Sequence, residues 1–247
     1  MVTDPELLEI EIDTLWLKDD RGRLVKDGGS NGRPAPHLVI AASRDQRAVA
    51  IGSEVPDALA AELRAVIAGE APSPDAAIAP RSLVRCEQLL RDSLGPVESS
   101  SGPSYLIPPG GAFSSSAEIQ RSDGNSIDAL RGRNPEGVWM AEEWEQLLDG
   151  TFGPWALATT NGRVIAICHS PRLTDRAAEA GTWTDPDFRG QGHAAAATAA
   201  WAAVLAPSGR HLFYSTSATN LSSQRVAARL NARPIGWLWQ IAAPRSS

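Results

Sequence analysis

The chain has 247 residues, a length that holds one large domain or two small ones. Hydrophobic residues make up 43% and charged residues 21%, an ordinary globular composition. With 23 Lys+Arg against 29 Asp+Glu the net charge is −6, which argues against a surface that grips nucleic acid by neutralising phosphates, though not against a local basic pocket. Two cysteines, Cys86 and Cys168, rule out a disulfide framework and a cysteine-based zinc site, and no metal site is expected. No apolar run approaches the roughly 20 residues of a membrane span. The acidic start lacks the basic segment of a signal peptide. These features predict a cytoplasmic protein with no membrane or nucleic-acid partner.

In chain order, residues 8–17 alternate apolar and polar and predict a half-buried strand. Asp19-Asp20-Arg21-Gly22 reads as a turn into a short strand around Leu24-Val25, and strands are expected at 37–42 and 48–51. Pro56 to Gly69 predicts a helix with Leu59, Leu63, Val66 and Ile67 on one stripe. A second helix is expected at about 80–94. The stretch 95–137 is rich in Gly, Pro and Ser and reads as a boundary or long loop around a strand at 105–107. Then come a helix at 138–149, a hairpin of 155–160 and 163–169 about Asn161-Gly162, and a strand at 179–185. A helix at 190–206, a strand at 210–217, a helix at about 220–231 and a strand at 235–241 complete the pattern. Hairpin, strand, helix, strand, helix, strand is an α/β order with a mixed sheet covered by helices. The expected division is 1–104, an α/β region without evident chemistry, and 105–247.

The informative segment is Thr184-Asp185-Pro186-Asp187-Phe188-Arg189-Gly190-Gln191-Gly192-His193-Ala194-Ala195, between a strand and an alanine-rich helix. A helix N-terminus carries unpaired N–H groups and about half a positive charge. Glycines let a bulky anion approach them, and an arginine at the lip adds a charge-assisted bond. Together they form a pyrophosphate cradle. Gly190-x-Gly192-x-x-Ala195 also matches a dinucleotide-binding fingerprint, but the acidic residue expected about 20 positions on is missing: position 210 is Arg, and no carboxylate follows Asp187. Residues 188–247 carry only positive side chains: Arg189, Arg210, Arg225, Arg229, Arg233 and Arg245.

Arg189-x-x-Gly192-x-Ala194, preceded by Asp185-Pro186, resembles the acetyl-coenzyme A signature of the GCN5-related N-acetyltransferase (GNAT) superfamily. Asn220-Leu221-Ser222-Ser223 resembles its downstream Asn-x-x-Ser segment, and Glu179-Ala180-Gly181-Thr182-Trp183-Thr184 its splayed fourth strand. The resemblance covers roughly 138–245. It departs in two places: Asn231-Ala232 replaces the usual Gly-Phe, and Ala227 stands where many members carry a tyrosine that protonates the leaving thiolate.

The resemblance implies a mixed, mostly antiparallel GNAT-like sheet flanked by helices, with an N-terminal α/β extension or small domain. It implies an acetyl-CoA-dependent N-acetyltransferase that transfers the acetyl group directly to an amine without an acyl-enzyme, so that Cys168 need not be a nucleophile, with a small-molecule acceptor favoured. The alternatives are a protein lysine or N-terminal acetyltransferase, or a non-catalytic acyl-CoA sensor, and the chain is expected to be a monomer or homodimer. The implied coenzyme A contacts are Trp183, Thr184, Arg189, Gly190, Gln191, Gly192, His193, Ala194, Asn220 and Ser223, with a backbone N–H near Trp183 or Thr184 for the oxyanion. Glu179 is the first candidate for the base, with His169 behind it, and Ser223 reaches toward the thiolate. Glu142 and Glu143 read as a solvated helix face. The region 1–104 reads as a module that walls the acceptor pocket, in preference to a degenerate GNAT-like half, because residues 1–120 hold no Arg-x-x-Gly-x-Gly/Ala.

Overall fold

The computed structural model describes residues 2–29, 32–108, 113, 115–124 and 127–244. Arg245 therefore lies outside the described residues. The elements run α1 (Asp4–Leu15), β1 (Trp16–Lys18), β2 (Leu24–Asp27), β3 (Leu38–Ala42), β4 (Arg47–Ile51), α2 (Asp57–Ala68), α3 (Ser82–Leu94) and β5 (Glu98–Leu106). They continue with β6 (Glu118–Arg121), α4 (Asp128–Arg131), α5 (Ala141–Leu148), β7 (Trp155–Thr160), β8 (Arg163–Leu173) and β9 (Ala177–Thr184). Last come α6 (His193–Leu205), β10 (His211–Ser215), α7 (Leu221–Arg229) and β11 (Arg233–Ala242).

The chain forms two compact units. The first comprises 1–105, 215–220 and 234–247; the second comprises 106–214 and 221–233. A single cut near residue 105 is the sequence expectation, whereas the first unit also takes two later pieces of chain.

In the first unit the strand order is β4-β3-β11-β5. β3 pairs antiparallel with both β4 and β11, Val39 lying opposite Ala50 on one side and Gln240 on the other. The inner face of α2 and α3 meets this sheet: Leu63, Ile67, Cys86 and Leu90 pack with Leu38, Ile40, Ile51 and Ile241. The strand predicted over 8–17 is overturned, because α1 occupies residues 4–15. Thr3 and Glu6 form a reciprocal capping box, and Pro5 sits in the first turn. Of the polar residues that simulate a period of two, Glu9 and Asp13 are exposed while Glu11 is buried. Glu11 accepts from the Ser104 hydroxyl, and Thr14 Oγ1 donates to the Ile10 carbonyl at 2.8 Å. Positions 7, 8, 10, 11, 12, 14 and 15 are buried, and the exposed Glu9 and Asp13 lie four residues apart on one helical face.

In the second unit the order is β10-β9-β8-β7-β6. Every pairing is antiparallel except β9 with β10. The molecule is thus α/β with a mostly antiparallel mixed sheet material flanked by helices. The β7–β8 hairpin turns where Asn-Gly predicts, with φ of 47° at Asn161 and 78° at Gly162, the mirror-image turn that matches strand twist. The strand β6 and the short helix α4 fall inside the stretch expected as loop. β6 is recruited by β7, Ile119 facing Ala158, and not by an apolar run of its own.

Helix α6 packs against β7 and β8. Its alanines Ala195, Ala196, Ala197 and Ala199 are buried, and the small side chains permit this close approach. On the other side Trp144, Trp155, Leu147, Leu157 and Ile167 form one cluster. Trp144, Trp155 and Trp201 are almost fully buried, and each indole N–H finds an acceptor: the carbonyls of Leu130 and Leu148 and the Ser170 hydroxyl. At about 200 Å² per ring and about 25 cal/mol per Å², the three contribute about 15 kcal/mol of transfer free energy.

Candidate active site

All candidate residues but one belong to the second unit. Asn220 ends a segment of the first unit, where its N–H donates to the Ser217 carbonyl at 3.0 Å just before α7.

The turn into α6 has the predicted form. A short 3₁₀ turn over Pro186–Phe188 is capped by Asp185, whose carboxylate accepts from the Asp187 N–H at 3.0 Å. Gly190 and Gly192 have φ of 80° and 93°, a backbone region that side chains disfavour. A Cβ on Gly190 would meet nothing within 4 Å, so that face of the turn is open, and Gly192 caps α6. The 13-residue helix then presents its first N–H groups beside this opening. Arg189 is exposed, its Nε reaching the Thr184 carbonyl at 3.5 Å.

Two residues behave differently from expectation. His193, predicted to face phosphate or solvent, is 3% exposed. Its Nδ1 lies 3.0 Å from the Ser115 hydroxyl and its Nε2 lies 3.3 Å from Gln191 Oε1, so it braces the turn from inside. Arg229, which the motif does not include, donates from Nη2 to the Gly190 carbonyl at 3.0 Å. In the sequence Arg229 is one of the positive residues of the last segment, with no signal of a role. Only the fold brings α7 to this turn.

The strands β9 and β10 part within the unit. Their parallel pairing runs from His211↔Ala177 to Phe213↔Glu179 and stops there, while β9 continues to Thr184. Glu179 stands at this fork, 3% exposed, opposite Arg172 on β8. Asp185 N–H donates to the Ile165 carbonyl at 2.9 Å. The two-residue alternation of the antiparallel ladder therefore commits the Trp183 N–H to β8 and turns the N–H groups of Thr182 and Thr184 toward the edge that has parted from β10. Of the two positions named for the oxyanion donor, Thr184 is the one whose N–H this geometry leaves available.

Across the fork, the Tyr214 hydroxyl lies 3.3 Å from Thr182 Oγ1 and also hydrogen-bonds Ser223 on α7. Burial raises the phenol pKa, so it stays protonated through the neutral range. His169 sits on the opposite face of β9 from Thr182. Desolvation lowers its pKa to about 4, so the ring is neutral at pH 7. Nδ1 donates to the Gly181 carbonyl at 3.1 Å, and the ring meets Trp139 edge-on at 5.0 Å between centroids. Cys168 is fully buried and its thiol pKa is pushed up by desolvation, which holds it as a thiol and suits no nucleophile.

A cleft of about 630 Å³ opens on the second unit between the 132–136 loop, the 162–164 turn, Trp183 and 185–187. Arg163 lines it, paired with Asp185 at 2.5 Å and with Asp187 at 3.6 Å, its guanidinium 5.4 Å over the Phe188 ring. Among the described residues no group of His, Cys, Asp and Glu could hold a metal ion, and no helix is long and apolar enough to cross a membrane.

Residues 115–233 match the family described as the acetyltransferase (GNAT) domain. The chain carries a GNAT acetyltransferase domain over these residues, a domain of N-acetyltransferases that transfer acyl groups. A comparison with curated proteins finds no match. Among solved structures, the chain is similar to a GNAT-family protein of Novosphingobium aromaticivorans, with 19% identity and a TM-score of 0.44, over 60% of this chain and 66% of that one. It is also similar to a GNAT-family acetyltransferase of Colwellia psychrerythraea, with 15% identity and a TM-score of 0.49, over 92% of this chain and 80% of that one. A tandem GNAT protein from the clavulanic acid biosynthesis pathway is 15% identical, with a TM-score of 0.44 over 88% of this chain and 82% of that one.

Proposed function

We propose that the protein is an acetyl-CoA-dependent N-acetyltransferase that passes the acetyl group directly from the thioester to the amine of a small molecule. The observation that carries this reading is the turn Arg189–Gly192, with two left-handed glycines, an open face at Gly190 and a helix N-terminus behind it. Such a turn offers N–H donors, a favourable dipole and a guanidinium to a diphosphate. Arg189, Gly190, Gln191, Gly192 and Ala194 supply the phosphate contacts, and Ser223 a contact to the pantetheine arm. The thioester brings an activated acetyl group, and the Thr184 N–H stabilises charge on its oxygen. Glu179 receives the amine proton at the fork of β9 and β10. The 630 Å³ cleft beside Trp183 is of small-molecule size and accommodates the acceptor. The described chain is read as cytoplasmic.

A second reading is a non-catalytic acyl-CoA sensor, and its support is Ala227, which is fully buried at the position of the usual tyrosine. Two measurements separate the readings. Acetyl-CoA should raise the melting temperature of the wild type and raise it far less in Arg189→Ala; an equal shift in both removes the cradle. Thiol release against a panel of small amines and of peptides with free lysines and N-termini should give turnover with a small amine. Turnover with peptides alone moves the acceptor to protein, and binding without any turnover favours the sensor.

A further inference from the structure

We infer that Tyr214 supplies the proton for the departing thiolate, a role that rests on the acetyltransferase reading above. Ala227 offers no acid from α7, but the helix face it occupies is not empty of one. Ser223 and Ala227 are four residues apart and share a face of α7. The phenol of Tyr214 hydrogen-bonds Ser223 on that same face, one turn from Ala227, while also lying 3.3 Å from Thr182 Oγ1 on β9. The hydroxyl thus reaches from β10 the helix face that carries Ala227.

The position along the strands supports the same role. Tyr214 is the first residue of β10 beyond the last β9 pair, Phe213↔Glu179, so its side chain stands at the opening of the fork. Its hydroxyl bonds to Thr182, whose N–H turns toward the parted edge. Tyr214 is 2% exposed, which excludes bulk water from competing for the donor. Two hydroxyls as neighbours let the phenol accept from both while it donates to a third atom. The ionisable neighbours felt by the ring are Cys168, held as a thiol, and Glu179.

The amine nitrogen bonds to the acetyl carbon, the carbon–sulfur bond breaks, and the electron pair goes to sulfur. Tyr214 gives its O–H proton to that sulfur, and the base takes one proton from the amine. Transfer of the proton held by the base to the phenolate restores both groups, leaving an amide and a free thiol.

The test uses the full chain and an amine that the wild type accepts. In Tyr214→Phe, kcat at saturating acetyl-CoA should fall about 100-fold, while the acetyl-CoA thermal shift stays near that of the wild type. A kcat within threefold of the wild type, or above it, overturns the role; a rise would mean that the phenol merely plugs the fork. The chain has only two tyrosines, Tyr105 and Tyr214, so fluorotyrosine incorporation into Tyr105→Phe labels Tyr214 alone. The basic limb of the kcat–pH profile should move to lower pH in that protein, and an unmoved limb overturns the role even where Tyr214→Phe fails to fold. Failure of the parent reading is separate, since it shows in the wild type as absent acetyl-CoA binding or absent turnover.

Discussion

Arg229 of α7 donates from Nη2 to the backbone carbonyl of Gly190 across 3.0 Å, tying the last helix to the turn that opens α6. A Cβ on Gly192 would lie 3.2 Å from the same guanidinium. One arginine therefore fixes the backbone whose N–H groups and open face form the proposed diphosphate site. Arg189 stands at the lip of that turn, and Arg229 supports it from behind.

The two arginines should differ in what they lose. Arg189→Ala removes a direct charge-assisted bond and should weaken acetyl-CoA binding by about 10- to 100-fold with little change in melting temperature. Arg229→Ala should lower the melting temperature measurably and weaken binding by a smaller factor, because it loosens the turn. Calorimetric binding with parallel thermal unfolding checks the pair; identical profiles would remove the distinction.

Gly192→Ala should be more damaging than Gly190→Ala. Both positions have positive φ, which costs an alanine about 1 kcal/mol. At 190 the methyl enters open space, while at 192 it meets Arg229 Nη1 and the Phe113 ring at 3.2 Å. Urea unfolding should show about 1 kcal/mol lost at 190 and about 2 kcal/mol or more at 192. Both substitutions should impair acetyl-CoA binding.

Glu179→Gln tests the base. The carboxylate stands at the fork, and its removal should lower kcat/KM by about 100-fold or more while abolishing the acidic limb of the pH profile. Acetyl-CoA binding should be unchanged. A loss below threefold with the acidic limb intact assigns the proton to another acceptor.

His169 makes stability depend on pH. Its pKa is lowered to about 4 in the fold, whereas an unfolded histidine titrates near 6.5. Between those values the unfolded chain binds the extra proton, so the contribution is fully present above pH 6.5 and is lost as pH falls toward 4. The full span is worth up to about 3 kcal/mol. His169→Asn retains a donor for the Gly181 carbonyl without titrating, so urea unfolding from pH 7 to 4.5 should show a shallower decline in this variant than in the wild type.

Much of the site was legible in the sequence because it is local. Arg189 to Ala194 is a single turn, and its glycines specify the backbone without help from distant residues. The Asn161-Gly162 hairpin is equally local, its two positive φ angles being native to that pair. The helices α2, α3 and α6 were visible for a similar reason, since each carries its own stop signals and apolar pattern. The strand expected over 8–17 failed because Glu11 and Thr14 are polar and buried: an alternation of residue types was read as an alternation of faces, although Thr3 and Glu6 form a capping box.

The sequence by itself determined the glycine turn from Arg189 to Gly192, the run of elements from β7 to β11 and the family resemblance. Only the tertiary structure decided which side chains serve them. The tryptophans illustrate this: the order of elements puts Trp237 and Trp239 with the acyltransferase half, yet β11 is a strand of the first unit and both rings lie there. Arg229 reaches Gly190 across 39 positions, and Tyr214 reaches Thr182 across 32. Neither has a periodic or spacing signal, because their partners are chosen by how strands and helices pack. Local backbone preference acts within a few residues, while a site assembled from two strands and a helix exists only once burial has brought them together.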